Sequence, residues 1–290
     1  MHPQRALLDG GRWHFQHGPV DLVIGADGDA AALTAAHEAA WQRFQTVLSE
    51  LVAELPTLRL PVRGPCPLQG AVARRMWSAC RPHHSAFITP MAAVAGSVAQ
   101  ELIACYARDG IARAWVNNGG DIALHLAPGA SLRVGLFADL ARLDPTDIVV
   151  DGHFDVQYDM PVRGVATSGW RGRSFSLGIA DSVTVLARTA AQADAAATMI
   201  ANAVNVVDAR IRRAPANTVK DDSDLGDLPV TVDVPPLPPE LVQRALQAGE
   251  RRARELQRDG LIHAAVLVCQ RAWIRVSAES VQTEVGSVFA

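Results

Sequence analysis

Apolar positions along the chain change their spacing several times, and each change marks a predicted element. Residues 11–24 alternate through RWHFQ, a His-Gly-Pro turn and DLVIGA, which predicts a β-hairpin. From Asp29 to Glu54 the interval stretches to three and four residues. Leu33, Ala36, Ala40, Phe44, Val47, Leu48 and Leu51 then share one face, and a helix is predicted. Pro56 and the stretch LPVRGPCPLQG end it in an extended connection. Thr89-Pro90 opens a second helix, MAAVAGSVAQELIACYARDG, with proline at the first helical position and Gly110 as its stop. Its many small residues predict close packing against a sheet or another helix.

Short strands are predicted at 112–116, 122–126, 132–136 and 148–150, the first two joined by the turn Asn117-Asn118-Gly119-Gly120. Ser182 to Ala187 reads as a further strand. Thr189 with Gln192 three residues on forms a capping box that starts an alanine-rich helix. Residues 213–240, with DDSDLGD and PPLPPE, read as loop, and 240–259 as an arginine-rich amphipathic helix. Residues 262–268 and 273–276 close as a hairpin. Because the strands come as hairpins rather than singly between helices, the pattern predicts an α+β fold: antiparallel sheet with helices packed on one face. With no convincing linker, residues 1–290 are expected to form a single domain, with 213–240 loop-rich.

Composition narrows the function. The 290 residues are 49% apolar and carry a net charge of −3, so a folded chain is expected with no electrostatic case for nucleic acid. Lys220 is the only lysine, which excludes a Gly-Lys-Ser/Thr phosphate loop and leaves lysine mechanisms without a good candidate. The four cysteines are scattered without a C-x-x-C pair, as expected of reduced thiols. No run of about 18 apolar residues and no signal-peptide pattern is found, so no membrane partner and a cytoplasmic location are expected.

Three stretches could carry chemistry. Asp194, Thr198 and Asn202 lie at i, i+4 and i+8 of the alanine-rich helix and stack along one side, where hard oxygens could face Mg²⁺ or a phosphate; a partly exposed acid near a helix start is the plainer alternative. Asn118, Gly119, Gly120 and Asp121 allow close backbone approach to a ligand, with Asp121 accepting from a ribose hydroxyl or ring nitrogen. Taken alone, an ordinary Asn-Gly hairpin whose acid bonds its own turn is the favoured explanation, since such turns are common. Thr167, Ser168 and Gly169 offer two hydroxyls and a flexible amide for phosphate or flavin contact, but no nucleophile elbow surrounds Ser168, and in isolation an ordinary Ser/Gly turn is the plainer reading. None of the nine histidines falls in a metal-ligand spacing, and adjacent His83 and His84 diverge.

Four phrases together resemble the ApbE superfamily: FITPMAAVAGSVAQEL (Phe87 to Leu102), VNNGGDIAL (Val116 to Leu124), TSGWRGRSFSLGIADSVTV (Thr167 to Val185) and ADAAATMIANAV (Ala193 to Val204). The superfamily's best-known members are FAD:protein FMN transferases, and the chain looks most like an ApbE-like branch labelled a family of unknown function. The resemblance implies an ApbE-like fold related to the T-fold, with core motifs across 85–205. It implies that Gly119, Gly120 and Asp121 help form a FAD or FMN site and that Asp194 and Thr198 ligate magnesium. It also implies assembly through sheets, so a homo-oligomer is among the expectations.

The departures are specific. Where transferases carry a His-x-x-Asp-Pro segment, this chain has Gly178-Ile179-Ala180-Asp181, and their Lys-Gly appears as Ala95-Gly96. These changes argue against flavin transfer to protein threonines. The leading expectation is a Mg²⁺-dependent enzyme acting on a flavin, nucleotide or other phosphorylated small molecule. Asn118 to Asp121 and Thr167 to Gly169 would line its pocket, and Asp181 would be the retained acid acting as catalytic base. The alternative is a non-catalytic flavin- or pterin-like carrier.

Overall fold

In the computed structural model the described residues are 2–136, 152–172, 174–221, 223–277 and 283–284. The predicted strand at 148–150 lies outside them. In chain order the elements are β1 (Gln4–Leu7), β2 (Trp13–His17), β3 (Val20–Gly28), α1 (Ala30–Ala53), α2 (Leu55–Leu58), α3 (Ala71–Cys80), α4 (Val94–Ile103), β4 (Ile111–Asn118), β5 (Asp121–Leu126), β6 (Ser131–Leu136), β7 (Gly152–Gln157) and β8 (Gly164–Ser168). They continue as β9 (Ser182–Ala187), α5 (Ala190–Ala203), β10 (Arg212–Pro215), α6 (Ala216–Val219), β11 (Pro229–Asp233), α7 (Pro239–Arg258), β12 (Ala264–Cys269), β13 (Ala272–Ser277) and β14 (Thr283–Glu284). The chain divides into two compact units, one of residues 1–132, 156–166 and 187–195, the other of 133–155, 167–186 and 196–290.

In the first unit the strands pair antiparallel in the order β1-β2-β3-β4-β5-β8, with Phe15 opposite Leu22, Ile24 opposite Val116 and Ile122 opposite Val165. Helix α1 is helical because Ala36, Ala40, Phe44, Val47 and Leu51 recur at helical spacing and bury on one side. Its ring of Phe44 meets Phe15 of β2 at 5.4 Å between centroids. Helix α4 packs on β4 and β5. Its Glu101 anchors it to two neighbours, pairing with Arg43 of α1 and Arg75 of α3, each at 2.7 Å. Pro90 opens this region as predicted, but a 3-10 turn over Pro90–Ala93 precedes the α-helix, and a second one, Ala104–Tyr106, follows it.

In the second unit β12 pairs antiparallel with both β9 and β13. All six residues of β9 and of β12 are buried, which is why AAVLVC reads as an unbroken apolar run, while SVTVLA carries Ser182 and Thr184 buried among its apolar residues. Helix α7 lies on β12 and β13 with Val242, Ala245, Leu246, Gly249, Ala253 and Leu256 inward. The span 213–240, expected to be loop, holds the antiparallel pair β10–β11 and the short α6. Strand β11 is PVTVD, whose alternation is too short to stand out between the acidic DDSDLGD and the proline-rich PPLPPE. Among the described residues no helix is long and apolar enough to cross a membrane.

Candidate functional site

The predicted turn forms as expected. Asn118 pairs with Asp121 across a two-residue loop, and both loop residues have positive φ, 65° at Gly119 and 109° at Gly120. Two successive left-handed residues are what a tight hairpin matching strand twist requires, and glycine adopts them without steric cost. The Gly120 amide donates to Asn117 Oδ1 at 2.8 Å. Asn118 is thereby freed to point at α4, donating from Nδ2 to the Ala95 carbonyl at 3.1 Å.

Asp194 reaches the same place from α5. The helix starts as predicted, with the Gln192 amide donating to Thr189 Oγ1 at 3.3 Å. The reciprocal half of the capping box is not made, since Gln192 Oε1 is buried without a partner among the described residues. Asp194 Oδ2 accepts the Gly96 amide at 2.9 Å, and the Ala95 amide donates to the same carboxylate. These are amides of the first turn of α4, which have no partner within their own helix. The aspartate therefore caps a helix to which it does not belong, and when ionised its charge sits at the positive end of that helix.

Gly96 makes this approach possible. A Cβ there would fall 2.4 Å from the Ala190 carbonyl oxygen and 2.9 Å from Asp194 Cβ. Gly164 of β8 allows a similar approach, because its Cβ would lie 2.2 Å from the Ala190 nitrogen. The residue Asp194 keeps part of its surface open, while its carboxyl group is enclosed. Burial pushes the acid up to about 7 from 3.8, and the Gly96 and Ala95 amides oppose that rise without cancelling it.

Thr198 follows Asp194 by one turn, is half-buried, and has no side-chain hydrogen bond among the described residues. A carboxylate and a hydroxyl are hard oxygen donors of the kind Mg²⁺ takes, so this pair fits a magnesium ion by its chemistry. Among the described residues no group of three or more His, Cys, Asp or Glu side chains converges, so the remaining ligands would be backbone carbonyls, water or substrate oxygens. Asn202 does not extend the stripe. Its Oδ1 accepts the Leu177 amide at 2.9 Å and the Ser176 hydroxyl at 3.2 Å, which commits it to holding the 176–178 turn.

The remaining sequence candidates lie in the second unit. Thr167 and Thr184 share a hydrogen bond between hydroxyls at 3.0 Å, and Ser168 is half-buried. Gly169 is a close-approach glycine whose Cβ would meet the Asp181 carbonyl oxygen at 2.3 Å. Asp181 is buried and engaged from several sides: by the Gln270 amide at 2.5 Å, by Trp170 Nε1 at 3.2 Å and by the Arg171 guanidinium at 3.8 Å. Gln270 and Arg271 form the β12–β13 loop with positive φ, 45° and 72°, which is strained for residues with side chains. Holding that loop is what the Asp181 carboxylate does here. Gly178 packs against the end of α5, where a Cβ would lie 2.0 Å from the Ala201 carbonyl oxygen, so no histidine fits on this backbone.

Comparison with known proteins now decides the family. The chain matches the family described as "AbpE bacteria" over residues 4–282. It belongs to that family. The resemblance to the ApbE superfamily seen in the motifs is thus borne out along the whole chain. Similar curated relatives are the "UPF0280 protein" of Methanothermobacter thermautotrophicus, 40% identical over 48% of this chain and 51% of that one, and its namesake in Methanosphaerula palustris, 34% identical over 67% and 77%. Another, from Methanopyrus kandleri, is 36% identical over 67% and 75%. The chain thus spans about half the length of the first of these relatives and about three quarters of the other two. Among solved structures it is similar to the ApbE protein of Thermotoga maritima, at 11% identity, 96% and 97% coverage and TM-score 0.45. It is also similar to the flavinyl transferase ApbE of Pseudomonas stutzeri in its apo form, at 12% identity, 96% coverage of each chain and TM-score 0.43.

Proposed function

We propose that this chain is a Mg²⁺-dependent enzyme acting on a flavin, nucleotide or other phosphorylated small molecule bound beside the N-terminal end of α4. The observation that carries the reading is that Asp194 and Asn118 both meet Ala95, Asp194 through the Ala95 and Gly96 amides and Asn118 through the Ala95 carbonyl, next to the Gly119-Gly120 turn. Asp194 and Thr198 would hold the metal, which when bound would neutralise phosphate charge and stabilise a leaving phosphate. Asp121 and the open face of the glycine turn would contact the ligand. Family membership supports this choice of ligand class, since the Pseudomonas stutzeri protein is named a flavinyl transferase.

The test is ligand-dependent thermal stabilisation. FAD with Mg²⁺ in large excess over its dissociation constant stabilises a folded chain by a few kcal/mol, about 2.7 kcal/mol at a hundredfold excess. Asp194→Ala is expected to lose the magnesium-dependent part. Equal stabilisation of variant and parent would discard the metal assignment.

A second reading, a non-catalytic flavin- or pterin-like carrier, is favoured by one observation. Gly178 is packed too tightly to have a histidine in its place, and Asp181 is taken up by Gln270, Trp170 and Arg171, so neither position offers a free proton-transfer group. Chromatographic assay of FMN and AMP released from FAD separates the two, because a carrier binds without turnover.

A further inference from the structure

The first unit contains a cleft that none of the motifs touches. It lies between the 62–66 segment and the end of α3 and has a volume of about 530 Å³, within the range that holds a small ligand. Val62, Pro65, Cys66 and Trp77 make its largely apolar wall. Arg63, Arg81 and His84 stand around it, and no acidic residue lines it. The chain as a whole is negative, at −3, so this clustering runs against its overall charge.

Arg81 and His84 are held in place without being neutralised. The Arg81 guanidinium stacks over the Trp77 ring at 5.4 Å from its centroid. Stacking of this kind fixes the plane of the group and leaves its edge donors available for a bidentate carboxylate. His84 Nδ1 lies 2.9 Å from the Arg81 carbonyl oxygen, which can only accept, so Nδ1 donates and the ring is fixed with Nε2 free to turn toward a ligand. Neither Arg63 nor Arg81 has a carboxylate partner among the described residues. Two unpaired guanidiniums beside apolar surface and an indole call for a ligand that is anionic at one end and flat and apolar at the other.

We propose that this cleft binds a small organic carboxylate carrying a flat apolar group, at a site separate from Asp194 and Thr198. Cys66 in its wall is a partly exposed free thiol and reports occupancy directly. Alkylation of Cys66 by iodoacetamide, followed by peptide-resolved mass spectrometry, is expected to slow several-fold in millimolar 2-naphthoate. The uncharged 2-naphthamide should leave it unchanged, with Cys105 as the in-chain control. Arg63→Gln with Arg81→Gln should remove the protection, whereas Asp194→Ala should keep it, which separates failure here from failure of the proposed metal site.

A probe-independent measurement guards against the choice of ligand. The ratio of iodoacetate to iodoacetamide reactivity at Cys66 should fall several-fold in the paired arginine variant, because the anionic reagent alone is drawn by the guanidiniums. Equal protection by acid and amide, no protection by naphthoate, or an unchanged reagent ratio would each overturn the proposal. The first two comparisons use only the parent chain, so they stand whether or not the variant folds.

Discussion

Replacing Gly178 by alanine tests whether this glycine marks a lost catalytic histidine or a contact that the backbone demands. A Cβ added there would lie 2.0 Å from the Ala201 oxygen, 2.8 Å from the Val204 oxygen and 3.0 Å from the Ala201 carbonyl carbon. All three are backbone atoms of the last turn of α5 and just beyond, so no side chain can rotate away. Gly178 is not in the left-handed region, so alanine meets no φ penalty and the cost is the clash alone. Relief requires the 177–179 turn to withdraw from the helix end, which stretches the Ile179 amide bond to the Val204 oxygen, now 2.8 Å. Overpacking of this kind costs about 1–3 kcal/mol, and a buried amide left without its acceptor about 1–3 kcal/mol more. Reduced freedom of the unfolded chain returns about 0.4–1 kcal/mol. The net loss of about 1–6 kcal/mol corresponds to a melting midpoint lowered by roughly 2–12 °C for a chain of this size. Thermal denaturation followed by circular dichroism reads it directly. Gly178→His should fall at least as far and gain no flavin transfer. An unchanged midpoint in Gly178→Ala would refute the packing argument and reopen the position as an emptied catalytic site.

Gly96→Ala should lower the melting midpoint through a clash with the Ala190 oxygen, at about 1–3 kcal/mol, and should also abolish magnesium-dependent stabilisation by FAD. Its retention would separate α4 from the metal site. Asp194 carries its proton in the folded chain up to about 7, against 3.8 ordinarily, so the native state binds the extra proton between those values. The acid's contribution to stability is therefore fully present below about pH 3.8 and is lost as pH rises through about 7; Asp194→Asn should flatten that decline in a pH series of melting curves. Magnesium competes with the same proton, so its stabilising effect should grow between about pH 6 and pH 8. Asp181→Ala strands the Gln270 amide and Trp170 Nε1, at about 1–3 kcal/mol each if both stay buried. Its midpoint should drop without any ligand present, and a variant that melts like the parent yet loses turnover would restore Asp181 as a base.

Local pattern made much of the architecture legible. The two hairpins β2–β3 and β4–β5 are set by glycine turns, α1 by its apolar spacing and α5 by Thr189, and all are effects of neighbours a few residues apart. Helix α3 was not read because its ten residues AVARRMWSAC follow a proline-rich stretch and carry two central arginines that blur the stripe of Val72, Ala73, Met76 and Trp77. Strand β1 is exposed along its whole length, so no burial-driven alternation marks it. Strand β11 buries Val230 and Thr231, but β10 and β11 are short and pair with each other, which leaves little periodic trace.

The site was legible in its pieces but not in its connections. Four-residue spacing correctly places Asp194 and Thr198 on one side of α5, because the helix enforces it. What Asp194 touches is set by a residue 98 positions away, and no periodicity carries information over that distance. A clue was nevertheless present in α4. Glycine within a helix costs roughly 1 kcal/mol relative to alanine, so Gly96 in an otherwise alanine-rich segment needed a compensating reason. The Ala190 oxygen and Asp194 Cβ occupying the space of its missing side chain are that reason. The same logic applied to Gly169 and Gly178 gives close backbone approach instead of a ligand or a vanished histidine. Asn202 and Asp181, though polar and well placed by spacing, are used up in holding turns. Of the four polar residues, Thr198 alone makes no side-chain hydrogen bond among the described residues, and the proposed metal site rests on it and on the Asp194 carboxylate at the end of α4.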